Sequence, residues 1–202
     1  MNLANKLSFF RIILAPAFFV FYLLPHFYPS LFVNGTAWTV PILWIIAIIS
    51  EITDYLDGFA ARKLNLTSDF GKLLDPFADT LTQITFYLCF IIDEIFPAGI
   101  LPVILFLLVV YREFAILFLR NLMLKKGIAM GARISGKIKT VMYIIAGAIA
   151  LLASSFERLD IFKSILPYIK TGALIIFGIS VAIAIISFFD YLLIYQKTGT
   201  SQ

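Results

Sequence analysis

Four aspartates, Asp54, Asp57, Asp75 and Asp79, stand within 26 residues of an otherwise oily chain. With Gly58, Ala61, Arg62 and Gly71 they follow the spacing D-x2-D-G-x2-A-R-x8-G-x3-D-x3-D. Carboxylates are costly to keep in or beside a membrane, and where they occur they usually mark function. In helical conformation Asp54 and Asp57 share one face at i, i+3, and Asp75 and Asp79 share one at i, i+4. Two adjacent helix ends would then present four carboxylates to one small volume. Such a cluster repels itself or retains its protons unless it is neutralised. The common remedy is a divalent cation with hard oxygen ligands, Mg2+, Mn2+ or Ca2+. Two such ions between carboxylates and phosphate oxygens suit in-line displacement at phosphorus, because they offset charge on the attacking and leaving groups alike.

The elements that position these residues follow from composition. The chain is 61% hydrophobic and 16% aromatic, with a mean hydropathy of +0.99, far outside the range of soluble domains. At about 20 residues per spanning helix, its 202 residues allow six membrane helices and short loops. We therefore expect an all-α, polytopic membrane protein with a single domain over residues 1–202. The helices are predicted at about 7–28, 37–61, 70–92, 99–123, 137–155 and 171–195. Pro25, Pro29, Asn34 and Gly35 mark the first turn, Pro97 the third, and the basic stretch Lys125 to Gly136 the fourth. The third helix opens on Lys72, Asp75 and Asp79, so its first half must face protein or water rather than lipid. The short connection Lys63 to Asp69 predicts that the second and third helices are antiparallel neighbours.

Of the 16 Lys and Arg residues, only Arg158, Lys163 and Lys170 fall on one side of this topology, and the other thirteen fall on the other. Cytoplasmic segments hold the basic excess, so both ends and the aspartate hairpin are expected on the cytoplasmic face. Phe9 to Leu24 imitates a signal-peptide core, but no small-residue cleavage pattern follows, and the segment is expected to be a retained first helix. The net charge of +4 sits at the ends of apolar runs, as topological signals and lipid-head contacts do, which argues against a nucleic-acid partner. Cys89 has no second cysteine to pair with and is expected in the core. His26 falls in the outer turn, away from the aspartates.

The residues between the aspartates admit two readings each. Gly58 serves either a close approach of ligand to backbone or tight helix packing. Arg62 either holds a phosphate or anchors the helix at the interface, and Thr67 and Ser68 either donate to a phosphate or cap the third helix. Taken together they are more telling, since eight specified positions match by chance on the order of 10⁻¹⁰ per starting position. The set Asp54, Asp57, Gly58, Ala61, Arg62, Gly71, Asp75 and Asp79 resembles, without departure, the signature of the CDP-alcohol phosphotransferase family of integral membrane enzymes. That resemblance implies a six-helix fold, a homodimer, and divalent metal, Mg2+ or Mn2+ as two ions, on Asp54, Asp57, Asp75 and Asp79. It also implies that Asp79 deprotonates the acceptor hydroxyl and that Asp54, Gly58, Arg62 and Ser68 contact the CDP moiety.

Other segments resemble the bacterial phosphatidylglycerophosphate synthase branch of that family: Asn2 to Arg11, the GKLLDPFAD run around Asp75, Arg112-Glu113, Leu119-Arg120, Lys126-Gly127, and Gly136-Lys137 with Lys139-Thr140. The branch implies CDP-diacylglycerol as donor and sn-glycerol 3-phosphate as acceptor. A phosphate-bearing acceptor needs cations, and Arg112, Arg120, Lys137 and Lys139 are the expected acceptor-phosphate residues. Thr80 and Phe118 depart from the branch pattern and leave inositol phosphate, then serine or choline, as alternative acceptors. A small ion transporter is the rival from another class, but such proteins often carry internal repeats, and the aspartate pattern occurs once. Glu51, one turn before Asp54, either supports the metal cluster or faces a polar cavity.

Overall fold

The computed structural model describes residues 3–28, 35–63, 69–125 and 134–199, and the side chains among them other than those of 3–4, 57–63, 69, 72, 134–135, 194 and 197–199. Six α-helices run through the described residues: α1 (Leu3–Phe27), α2 (Thr39–Lys63), α3 (Asp69–Ile92), α4 (Leu101–Lys125), α5 (Ile134–Arg158) and α6 (Leu166–Gly199). All six expected helices are present, with ends that differ by a few residues, and the described residues contain no strand. Gly35, expected in the first turn, has φ +101°, a conformation open to glycine and strained for other residues.

Five helices, all but α3, are long and apolar enough to cross a membrane. α3 matches them in length at 24 residues, but Asp69, Lys72, Asp75 and Asp79 crowd its first half. As expected, the first half of α3 needs polar surroundings, and the other five helices are the apolar ones. Hydroxyls along the helices are satisfied locally. Thr53 donates to the carbonyl of Ile49, Thr82 to that of Ala78, Thr85 to that of Leu81 and Thr140 to that of Gly136, so no water is needed to hold them in an apolar setting.

The chain forms two compact units. The first comprises residues 1–95 and 151–167. Here α1 packs against both α2 and α3, antiparallel to α2 and parallel to α3, as its contacts at each end show. Its core is aromatic: Phe18 stacks on Phe86 with centroids 3.9 Å apart, and Tyr22 and Tyr87 meet Phe90 edge-on. Ala15, Ala78 and Cys89 are fully buried between them, and the small alanines let the helices approach closely. Cys89 is free and in the core, as expected.

One end of this unit is closed by Arg158, the last residue of α5. It donates to Asp93 Oδ2 (3.0 Å), the Tyr22 carbonyl (3.0 Å), Thr39 Oγ1 (3.2 Å) and Ser154 Oγ (3.2 Å), and its guanidinium lies over the Tyr22 ring. Tyr22 and Ser154 share a further hydrogen bond, Trp44 donates to Ser155, and His26 Nε2 sits 3.1 Å from Asp93. One arginine thus ties together α1, α2, α5 and the segment after α3. Arg158→Met is expected to destabilise the protein by about 3 kcal/mol, because it leaves Asp93 without its buried partner. Asp93→Asn, which keeps an acceptor for Arg158, should cost less, and thermal unfolding of both variants in detergent checks the order.

The second unit comprises residues 96–150 and 168–202. α4 and α6 run parallel in it, with Leu105 beside Gly178, Arg112 beside Ala184 and Ser187, and Ile116 and Leu119 packed with Tyr191. Phe96 stacks on Phe177 at 5.0 Å. Ala146, Ala150, Ala173 and Ala184 are buried.

Candidate functional site

The aspartate cluster is built in the first unit around a residue the motif does not contain. Arg11, on α1, is fully buried at 1% exposure, and its two terminal nitrogens reach different helices: Nη1 donates to Oδ1 of Asp54 on α2, and Nη2 to Oδ1 of Asp75 on α3. The side chains of Asp54 and Asp75 are 38% and 47% exposed. A guanidinium therefore forms the floor of the cluster and two carboxylates form its open rim. Asp54 of α2 and Asp75 of α3 are brought to one guanidinium, because α1 packs on both helices and Arg11 bridges them. From the sequence Arg11 was expected only as a basic residue at the cytoplasmic end of the first helix. Nothing local to it gives a contact with residues 43 and 64 positions away.

Asp79 lies one turn beyond Asp75 on the same face of α3. Its Oδ1 accepts from Gln83 Nε2 at 3.0 Å, so the next turn of the same helix orients the carboxylate. Gln83 belongs to no expected set, although its i+4 spacing from Asp79 was a legible signal. Pro76, between the two aspartates, has no N–H to offer the carbonyl of Lys72 in the first turns of α3. Glu51 lies one turn before Asp54, within electrostatic reach of Asp54, Asp79 and Arg11. Asp57, Gly58 and Arg62 are placed in α2, but their side chains lie outside the described residues, as does Ser68 altogether.

Among the described residues no three acidic, histidine or cysteine side chains are grouped closely enough to hold a metal ion. The donor chemistry nevertheless fits a hard divalent cation: Asp54, Asp75 and Asp79 offer only carboxylate oxygens, on two helices, at a half-exposed rim.

In the second unit Arg112 and Lys139 do meet, on a carboxylate. Arg112 donates to both oxygens of Glu113 (2.9 and 3.0 Å), to the Ala184 carbonyl (3.1 Å) and to Ser187 Oγ (3.2 Å). Lys139 donates to Glu113 Oε1 at 2.8 Å and lies over the Tyr143 ring. All three charged side chains are 5–6% exposed. Arg120 stands apart from them, half-buried with its guanidinium 5.8 Å from the centre of the Tyr191 ring, and its Nε has no hydrogen-bond partner. Lys137 is exposed. The four expected acceptor residues are thus two buried cations that share the Glu113 carboxylate and two more accessible cations. Glu113, adjacent to Arg112 in the sequence, is the hub.

Comparison with known proteins adds to this geometry. A family model described as CDP-alcohol phosphatidyltransferase matches residues 1–186. The chain is 32% identical over 197 residues to a protein of Treponema pallidum (strain Nichols), covering 95% of this chain and 88% of that one. It is 39% identical over 153 residues to one of Bacillus subtilis (strain 168), covering 75% and 77%, and 28% identical over 196 residues to one of Aquifex aeolicus (strain VF5), covering 96% and 95%. All three relatives are named CDP-diacylglycerol–glycerol-3-phosphate 3-phosphatidyltransferase. With a family match over most of its length, an all-helical membrane fold and Asp54 of α2 and Asp75 of α3 held by one arginine, the chain belongs to the CDP-alcohol phosphatidyltransferase family.

Proposed function

We propose that this membrane enzyme transfers the phosphatidyl group of CDP-diacylglycerol to sn-glycerol 3-phosphate, giving phosphatidylglycerophosphate and CMP. The observation that carries the proposal is the meeting of Asp54 and Asp75 from two helices, one turn from Asp79, in a chain whose relatives bear that activity in their names. Asp79 takes the proton of the acceptor hydroxyl, whose oxygen attacks the phosphorus that carries diacylglycerol. The bond from that phosphorus to the CMP oxygen breaks, and CMP leaves. Gln83 holds Asp79 in position for this. Asp54, Asp57, Asp75 and Asp79 would hold Mg2+ or Mn2+, as two ions, and metal bound there would neutralise charge on the phosphate oxygens. Asp54, Gly58, Arg62 and Ser68 would contact the CDP moiety. We further place the enzyme in the inner (cytoplasmic) membrane as a homodimer, with both ends and the aspartates on the cytoplasmic face. The one-sided distribution of Lys and Arg supports that orientation.

An acceptor panel tests the assignment: purified protein, CDP-diacylglycerol and Mg2+ or Mn2+, with CMP release measured for glycerol 3-phosphate, inositol phosphate, inositol, serine and choline. Glycerol 3-phosphate should be preferred and EDTA should stop the reaction. Preference for inositol phosphate would move the assignment within the family, and metal-independent release would remove the proposed chemistry.

Of the four acceptor candidates, Arg120 and Lys137 can reach a phosphate without breaking an existing ion pair. Arg120→Met is therefore expected to raise KM for glycerol 3-phosphate about tenfold, the worth of one charge-assisted hydrogen bond, with little change in KM for CDP-diacylglycerol. Equal effects on both substrates would argue against an acceptor role.

A further inference from the structure

An arginine is an unexpected neighbour for carboxylates that are to bind a divalent cation. Its guanidinium stays charged at any physiological pH, and a buried charge persists only where it is paired. Arg11 is fully buried, and Asp54 and Asp75 are partners for it on both sides. The pairing also closes a structural circuit, because α1 packs against α2 and α3 and the guanidinium joins a carboxylate from each. A cation approaching the exposed rim meets carboxylate oxygens already engaged from below by a positive charge. It must compete for those oxygens and does so against like-charge repulsion.

We propose that Arg11 is the resident counter-cation of the aspartate cluster: it joins Asp54 and Asp75 and weakens metal binding by competing for their oxygens. The proposal rests on the assignment of Asp54 and Asp75 as metal ligands. Arg11 is then a positioning residue, with two separable effects. It stabilises the metal-free fold, and it sets the metal concentration at which the cluster fills.

The test uses the full chain in lipid nanodiscs, stripped of metal, with Mn2+ binding followed by the electron paramagnetic resonance of free Mn2+ and with Tm measured in EDTA and in saturating Mn2+. Arg11→Met should bind Mn2+ about tenfold more tightly than wild type, since one opposing charge is gone. Its Tm should fall in EDTA and return towards the wild-type value in Mn2+. Arg11→Lys keeps the charge but loses the fork that reaches two helices; it should fold without metal and bind Mn2+ about threefold more tightly. Unchanged or weaker Mn2+ binding in both variants, or in Arg11→Lys should Arg11→Met fail to fold, overturns the proposal. Asp54→Asn separates the two levels. Loss of Mn2+ binding there, with no tightening on replacing Arg11, refutes only the counter-cation role. Unaltered Mn2+ binding in Asp54→Asn refutes the metal assignment and this proposal with it.

Discussion

Asp79→Asn is expected to lower CMP release by about a thousandfold and to leave the fold intact. The substitution keeps size and shape, and the amide oxygen of asparagine can still accept from Gln83 Nε2, which holds the native carboxylate at 3.0 Å. It loses the capacity to take up a proton. A positioned general base contributes about 10²–10⁴ in rate, and loss of a negative charge beside the proposed metal adds to that. CMP release by purified variant and wild-type protein, with Tm measured alongside, gives the answer. A rate close to wild type would remove Asp79 from the role of base. Unfolding would show instead that the carboxylate is structural.

Glu113→Gln is expected to be the most destabilising single change in the second unit, by about 3–5 kcal/mol. Three buried charges, Arg112, Glu113 and Lys139, carry a net charge of one with the carboxylate in place, and its removal leaves two cations facing each other without compensation. Lys139→Met should be milder, because it leaves the Arg112–Glu113 pair neutral. The double variant Glu113→Gln, Lys139→Met should be more stable than Glu113→Gln alone, since it removes one of the two stranded cations. Thermal unfolding of the three variants and the wild-type protein forms a double-mutant cycle. Equal losses in the two single variants would show that the charges are not balanced in this way.

Five of the helices were legible because they are long apolar runs between turn-forming or charged residues, and α3 because its second half is one, and length and composition decide membrane helices almost without help from tertiary structure. The aspartates were legible for a similar reason: i, i+3 and i, i+4 spacing places them on helix faces whatever the fold. Arg11 was not, because an arginine near the end of an apolar run looks the same whether it anchors a helix or pairs with carboxylates on two others. Only the packing of α1 between α2 and α3 decides it. Glu113 was obscured in another way. Adjacent residues on a helix do not ordinarily face each other, so Arg112 and Glu113 were not an evident pair, and Lys139 is 26 residues away. Spacing along one helix could thus be read from the chain, whereas pairing between helices could not.

The tie around Arg158 bears on α1 in another way. α1 is pinned near both ends, by Arg11 to Asp75 on α3 and by His26 to Asp93 just past α3, with Tyr22 held at the same end. Along a parallel pair of helices those fastenings are 15 and 18 residues apart, on the order of 25 Å at 1.5 Å per residue. Sliding α1 along its axis would break both. Inserting or deleting one residue between them would turn one end by about 100° against the other, so that only one fastening could form. The length of this first helix is therefore gauged by two side-chain contacts, and bilayers of different thickness must adapt to it.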